Sequence, residues 1–225
     1  MSLFLDRMDA GRQLAAGLRE FAATPGVVLG LPRGGVPVAF ALAQELRLPL
    51  DVFLVRKLGV PGQEELAMGA VAAGNVRVIN AEVVRALGIL PEQIARVADL
   101  EQQELERRAA AFRQGHPQLP VAGRTAIVVD DGLATGSTMR AAVQALRMAE
   151  PARILVAVPV GAADTCDRLR SEAVQVVCLH TPHNFFAVGQ WYLNFQQTTD
   201  EEVKELLRRS RESLPNRGTA ELLPS

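Results

Sequence analysis

The chain is poor in several features that common functions need. Only two of its 225 residues are cysteine, Cys166 and Cys178, and their spacing matches no metal-binding pattern. They read as buried thiols of a reducing compartment, not as a disulfide framework. Aromatic residues make up 4%, with one Trp and one Tyr, too few for the stacking platforms on which single-stranded nucleic acids rest. The formal net charge is −1, so the chain shows no basic footprint for a phosphate backbone. No apolar run approaches the length of a membrane span, and the first residues, Met1 to Arg7, lack the apolar core and cleavage site of a secretory leader. There is no internal repeat. His116 and His180 have no partner spacing, and no Ser–His–Asp arrangement can be assembled. The expectation is a soluble cytoplasmic protein that contacts neither nucleic acid nor membrane.

What the chain does have is alternation. The runs 27–31, 51–55, 126–129, 154–158 and 174–179 are apolar throughout, the pattern of strands buried on both faces. Between them apolar residues recur at helical spacing. Leu5, Met8, Leu14, Leu18 and Phe21 share a face of a helix over 5–21, and further helices are expected at 36–46, 138–149, 162–169 and 200–213. Residues 58–70, bracketed by Gly59, Pro61, Gly62 and Gly69, read as a mobile loop or a hairpin outside the core. A short strand at 76–80, a short helix at 81–87 and a long charged helix at 91–113 follow. The long helix packs through Ile94, Val97, Leu105 and Phe112, and Arg107 and Arg108 read as a solvated face. The last dozen residues read as frayed. The expected fold is α/β, a doubly wound, mainly parallel sheet with helices on both faces. A single domain over 1–225 is expected, with a helical insertion at about 81–113 and a C-terminal helix at 200–213.

The stretch around which the rest is organised runs from Thr125 to Met139. The apolar run Ala126 to Val129 stops at two aspartates, Asp130 and Asp131. Gly132, Ala134, Thr135, Gly136, Ser137 and Thr138 follow, and then helical spacing begins. Loops at the carboxyl ends of strands are where open α/β sheets bind ligands. Small residues before a helix start bring backbone N–H groups close to a phosphate. Two carboxylates beside a phosphate cradle make sense if the ligand also carries hydroxyls or a metal ion. A capped turn would explain one of these residues but not the whole set. Two further strands end in loaded loops. Arg33 with Gly34 and Gly35 offers a second anion site where the backbone can approach closely, and Arg56 and Lys57 add positive charge. Two anion sites with a diol-binding pair between them suit a ribose phosphorylated at both ends.

The run Ile127-Val128-Val129-Asp130-Asp131-Gly132-Leu133-Ala134-Thr135-Gly136-Ser137-Thr138 resembles, without departure, the phosphoribosyl pyrophosphate (PRPP) signature of the type I phosphoribosyltransferases. Leu31 to Gly35 is similar to that family's pyrophosphate-binding turn, and Arg56-Lys57 with the loop after it to its flexible catalytic loop. The resemblance covers roughly residues 25 to 185. It implies the type I fold with a C-terminal hood-like segment, and Mg²⁺-dependent transfer of a phosphoribosyl group from PRPP to a nucleobase-like acceptor with release of pyrophosphate, the chemistry of nucleotide salvage. It also implies a homodimer. Asp130 and Asp131 would hold the ribose hydroxyls and, through water, the metal. Gly132 and Ala134 to Thr138 would hold the 5′-phosphate, and Arg33, Gly34, Gly35, Arg56 and Lys57 the pyrophosphate, with Glu65 as a candidate for loop closure. The acceptor would lie near Val160 and under the segment 180–191, with Phe185 or Trp191 stacking on it and His183 or Asn184 bonding to it. A PRPP- or nucleotide-sensing regulator without turnover would use the same cradle.

Overall fold

Five apolar runs pair into one parallel sheet in a computed structural model that describes residues 3–72, 76–172 and 174–213, without the side chains of Ala23, Glu64 and Glu65. The strands are β1 (Gly26–Gly30), β2 (Leu50–Val52), β6 (Thr125–Val129), β7 (Arg153–Val160) and β8 (Gln175–His180), in the order β2-β1-β6-β7-β8. Successive strands step outward in opposite directions from β1 and β6, so the order reverses between these two. A crevice opens at such a point beyond the carboxyl ends of the strands.

Alternate residues of each strand point to opposite faces, and both faces are covered. Val28, Ile127, Val129 and Leu155 pack under α1 (Arg7–Ala16), α2 (Gly35–Leu46) and α7 (Asp200–Ser213). Val27, Leu29, Ala126, Val128 and Val156 pack under α5 (Ser137–Arg147) and α6 (Ala163–Ser171). Double coverage is why these strands show no polar alternation in sequence. The sheet is parallel and the class is α/β, as expected. Both cysteines are free thiols, Cys166 buried and Cys178 partly so.

Three elements differ from the sequence expectation. The first helix ends at Ala16, and a 3-10 turn (Arg19–Ala23) carries Phe21 into the core. The run at 50–55 splits: β2 stops at Val52, and Val55 opens a strand of another sheet. Residues 58–70 are not outside the core. They belong to an antiparallel sheet of β3 (Val55–Val60), β4 (Gln63–Ala72) and β5 (Val76–Ile79). The hairpin turns at Pro61-Gly62, where Gly62 has φ of +78°. Leu58, Met68 and Val71 are fully buried and share a core with Ile127 and Leu155 of the main sheet. The glycines that suggested a loop mark an irregular ladder instead, with register shifts on either side of Gly59. The frayed reading of the last dozen residues lies outside the described residues.

A short helix α3 (Ala81–Leu87) precedes α4 (Pro91–Arg113), and Pro91 occupies the first turn of α4, where its missing N–H costs nothing. Leu105 and Phe112 of α4 are buried. Its last residue is locked to β2. Arg113 Nε donates to both carboxylate oxygens of Asp51 at 3.0 and 3.2 Å, and its terminal nitrogen donates to the Val52 carbonyl at 3.0 Å. The Val52 and Leu119 amides also donate to Asp51, at 2.8 and 3.0 Å. With exposures of 9% and 6% the pair is shut from water, and every oxygen of Asp51 has a partner. Removing one member of such a pair strands a buried charge. Arg113→Met should therefore destabilise the fold by about 3–5 kcal/mol, read as a lower urea midpoint with unchanged slope. The double variant Arg113→Met/Asp51→Leu should recover a large part of that loss.

Candidate functional site

The loaded loops meet at the reversal point. Leu31 donates its amide to the Val129 carbonyl at 2.9 Å, which carries the β1–β6 pairing one residue past the strands. The turn Pro32-Arg33-Gly34, which contains a cis Pro32–Arg33 peptide bond, then leads into α2. Its glycines lie against the acidic pair. A Cβ on Gly34 would sit 2.1 Å from Asp131 Oδ2, and one on Gly35 2.6 Å from the Val129 carbonyl oxygen and 2.8 Å from Asp130 Cα. A larger residue at Gly35 would push the two loops apart, and one at Gly34 would displace the Asp131 carboxylate.

Asp130 and Asp131 are partly buried, and the Asp130 carboxylate accepts the Asp131 amide at 2.9 Å. Burial pushes the Asp130 pKa well up, and the neighbouring Asp131 adds to the rise. Burial raises Asp131 as well, and Arg7 opposes that rise. Arg7 enters from the first turn of α1. Its Nε and a terminal nitrogen reach Asp131 Oδ2 at 2.9 and 2.8 Å, with the two side chains 11% and 15% exposed. The other terminal nitrogen donates to the Gln196 carbonyl at 2.7 Å, and the guanidinium lies 3.8 Å from the centre of the Phe195 ring. Tyr192 donates its hydroxyl to the Asp131 carbonyl, and burial keeps that phenol protonated by raising its pKa.

Beyond the carboxylates the chain forms an open cradle. Leu133 is pinned to the end of β7, its amide on the Val160 carbonyl and its carbonyl on the Ala162 amide, both at 2.9 Å. Thr165 donates to the Ala134 carbonyl at 2.7 Å. Gly136, with φ of +73°, turns the chain into α5, and a Cβ there would meet the Thr165 methyl at 2.6 Å. Ala134, Thr135, Ser137 and Thr138 are exposed. The amides of Thr135 to Thr138 have no acceptor among the described residues, as expected at a helix start. The cradle thus offers N–H groups, three hydroxyls and the positive end of a helix to an anion.

The cations assigned to the second anion site are held by carboxylates of the same chain. Arg33 faces Asp200, the first residue of α7, at 3.5 Å, and Arg56 of β3 is bonded to Glu101 of α4. Lys57 is exposed on β3, and the side chain of Glu65 lies outside the described residues. A small pocket of about 50 Å³ lies between the turn and the hairpin, lined by Pro32, Phe53, Arg56, Arg108 and Thr138 among others. The two carboxylates suit Mg²⁺, which takes one or two of them together with substrate phosphates and keeps several waters. Among the described residues no group of three or more acidic, His or Cys side chains could cage a metal by itself.

The residues expected near the acceptor lie along one wall. Val160 is fully buried against Phe4, Ala10 and Tyr192. Phe185 and Trp191 stack on each other, with centroids 6.4 Å apart and planes 19° off parallel. Trp191 closes a 3-10 turn (Val188–Trp191), and Val188 covers Gly132, where a Cβ would meet it at 2.5 Å. The Trp191 indole N–H is buried without an acceptor among the described residues.

Sequence reading missed Arg7, Tyr192, Asp200 and Glu101, which reach the site from far along the chain. It also placed Arg108 on a solvated face, whereas this side chain is half-buried at the pocket. Only the basic residue in the first turn of α1, where helix polarity favours an acidic one, could have marked Arg7.

Comparison with known proteins follows the same outline. The phosphoribosyl transferase domain family matches residues 5–196. Two Mycobacterium tuberculosis proteins, of strains CDC 1551 and H37Rv, provisionally named phosphoribosyl transferases, are 50% identical over 218 residues, which is 97% of this chain and 49% of theirs. The chain therefore spans about half the length of the curated relatives it matches. The crystal structure of TT1426 from Thermus thermophilus superposes with a TM-score of 0.84 at 40% identity, covering 93% of this chain and 99% of that one. A Neisseria gonorrhoeae protein crystallised with bound ppGpp shares the fold, with a TM-score of 0.50 at 13% identity over 94% of this chain and 98% of its own. With a match that runs from the start of α1 to Gln196, the residue whose carbonyl Arg7 holds, the chain belongs to the phosphoribosyl transferase domain family.

Proposed function

We propose that the protein transfers the phosphoribosyl group of PRPP to a nucleobase-like acceptor and releases pyrophosphate. The observation that carries this reading is the contact of Gly34 and Gly35 with Asp130 and Asp131, which sets an arginine-bearing turn and an amide-lined cradle on either side of a carboxylate pair. A 5′-phosphate fits the cradle from Gly132 to Thr138. The ribose hydroxyls donate to Asp130 and Asp131, and the pyrophosphate faces Arg33, Gly34, Gly35, Arg56 and Lys57. Mg²⁺, held by Asp130 and Asp131 through water together with the substrate's own phosphates, supplies charge neutralisation on the pyrophosphate when bound.

The chain's own residues account for the rest of the chemistry. As pyrophosphate departs, the anomeric carbon becomes oxocarbenium-like. The carboxylate pair keeps negative charge near the cationic ring, while the arginines receive the leaving charge. The tip of the β3–β4 hairpin at Pro61-Gly62, beyond Arg56 and Lys57, excludes water from the reacting centre when drawn over the ligand. The acceptor sits under the segment 180–191, near Phe185, Trp191 and the end of β7 at Val160. Such a protein works as a cytoplasmic homodimer.

A second reading is a PRPP- or nucleotide-sensing protein without turnover. The pairing of Arg33 with Asp200 and of Arg56 with Glu101 favours it, because a ligand that takes these cations shifts α7 and α4. A nucleotide ligand such as the ppGpp of the Neisseria neighbour would enter the same cradle.

Incubation with PRPP, Mg²⁺ and a panel of purine and pyrimidine bases should give base-dependent pyrophosphate release. Asp131→Asn should lower it at least about a hundredfold, as expected for loss of charged hydrogen bonds to the transition state. Tight PRPP binding with no release for any base would support the sensor instead. Asp130→Asn separates function from stability. A carboxyl group whose pKa is raised on folding binds its proton more tightly when folded, so it costs stability as pH rises above the ordinary carboxylate range. The variant should melt at a higher temperature than the parent at neutral pH and bind PRPP more weakly. A lower melting temperature would show that burial does not penalise Asp130.

A further inference from the structure

The small pocket beside the Pro32–Gly35 turn contains a cation to which nothing so far gives a role. Arg108 lies on α4, two turns beyond Glu101 and on the same face as Glu101 and Leu105. Its neighbour Arg107 points away and is 71% exposed, with its guanidinium bonded to Glu104 at 2.8 and 2.9 Å. Arg108 instead lines the pocket of about 50 Å³ together with Arg56, Pro32 and Thr138. It makes no hydrogen bond and no ion pair among the described residues. Its guanidinium carbon lies 5.9 Å from the centre of the Phe112 ring, a contact that leaves the donors unused.

Two arginines therefore line the same small pocket. Arg56 is bonded to Glu101, whereas Arg108 only feels the charge of Glu104, a carboxylate already bonded to Arg107, so its own donors are unfilled. A half-buried guanidinium with unfilled donors gains when a ligand supplies an anion. The position selects the ligand. Pro32 places the pocket beside the turn assigned to the second anion, and Thr138 places it at the far end of the cradle from Gly132. The anion that reaches it must extend from the turn toward α4, as the outer phosphate of a diphosphate does and a single phosphate in the cradle does not.

We propose that Arg108 binds the outer phosphate of the substrate's pyrophosphate group, which makes α4 part of the donor site. This inference rests on the transferase reading for the identity of the ligand. The guanidinium donates to the terminal phosphate oxygens in the fork geometry that suits them. Arg56 is drawn into the same contact when the polyanion competes with Glu101. The helix assigned to an insertion thereby acts on the donor substrate.

The test is calorimetric titration of the full chain with PRPP, inorganic pyrophosphate and ribose 5-phosphate, each in the presence of Mg²⁺. Arg108→Gln should weaken PRPP and pyrophosphate binding by roughly ten- to a hundredfold, the range expected for a charged hydrogen-bonded contact, and leave ribose 5-phosphate within about twofold. Arg108→Lys should recover part of the loss. Arg107→Gln, one residue along the same helix, should change none of the three. Because ribose 5-phosphate reads the cradle, unchanged binding of it shows that the Arg108 variant is folded at the site. Equal loss of all three ligands would show a structural role and overturn the proposal, as would PRPP and pyrophosphate binding by Arg108→Gln within twofold of the parent. Failure of the parent chain to bind PRPP at all would overturn the transferase reading as well, so the two failures are distinct.

Discussion

Adjacent carboxylates that are partly buried repel each other and lose hydration, and Asp130 and Asp131 are placed in that position by the end of β6. The loss of hydration is worth several kcal/mol per ion. A cation about 4 Å away at an effective dielectric near 20 returns about 4 kcal/mol. Arg7 provides one such cation and holds one oxygen of one member of the pair, and both carboxyl groups still keep raised pKa values. Burial therefore wins, and the pair is held in a state that a ligand improves. The seat of Arg7 depends on close packing elsewhere. A Cβ on Gly11 of α1 would lie 2.3 Å from the Val38 carbonyl oxygen of α2, so the two helices touch through backbone. Since α2 begins at Gly35, the helix that carries Arg7 is registered against the turn that carries Arg33.

The ion pairs of the molecule divide by exposure into those that can open and those that cannot. Arg33–Asp200 and Arg56–Glu101 have side chains between 29% and 44% exposed. Such pairs contribute about 0–1 kcal/mol, little enough for a polyanion to displace. Arg113–Asp51 is shut from water and bonded on every side, so it stays closed. The long helix α4 carries pairs of both kinds. Its carboxyl end is fixed to β2 by Arg113, while its middle presents Glu101 and Arg108 to the site.

How much could be read in the sequence follows from how local each feature is. The Asp130–Thr138 stretch carries its carboxylates, hydroxyls and tight turn within a few consecutive residues, so composition and order alone expose it. The fully apolar strands were legible because coverage on both faces removes polar alternation. The hairpin at 55–72 was one of two readings, and its burial was misjudged because Gly59, Pro61, Gly62 and Gly69 resemble loop punctuation; only the cross-strand register shows that they accommodate bulges and a close strand contact. Arg7 and Asp131 are 124 residues apart, and no local pattern joins them. Arg107 and Arg108 are adjacent and chemically identical in sequence. The phase of α4 against the hairpin, which separates an exposed residue from a pocket-lining one, is set by tertiary packing.

For the proposed transferase, the bond between Arg56 and Glu101 is an occupant already installed in the pyrophosphate site. A carboxylate fixed on a helix beside its arginine competes like a free anion at an effective concentration of roughly millimolar or more. Simple monoanions that offer one contact gain little by replacing it. A chelating polyanion that engages Arg33, Arg56 and Arg108 together spreads the cost of displacement over several bonds. On the proposed reading, the tethered glutamate is a threshold that filters ligands by the number of phosphates they can present at once.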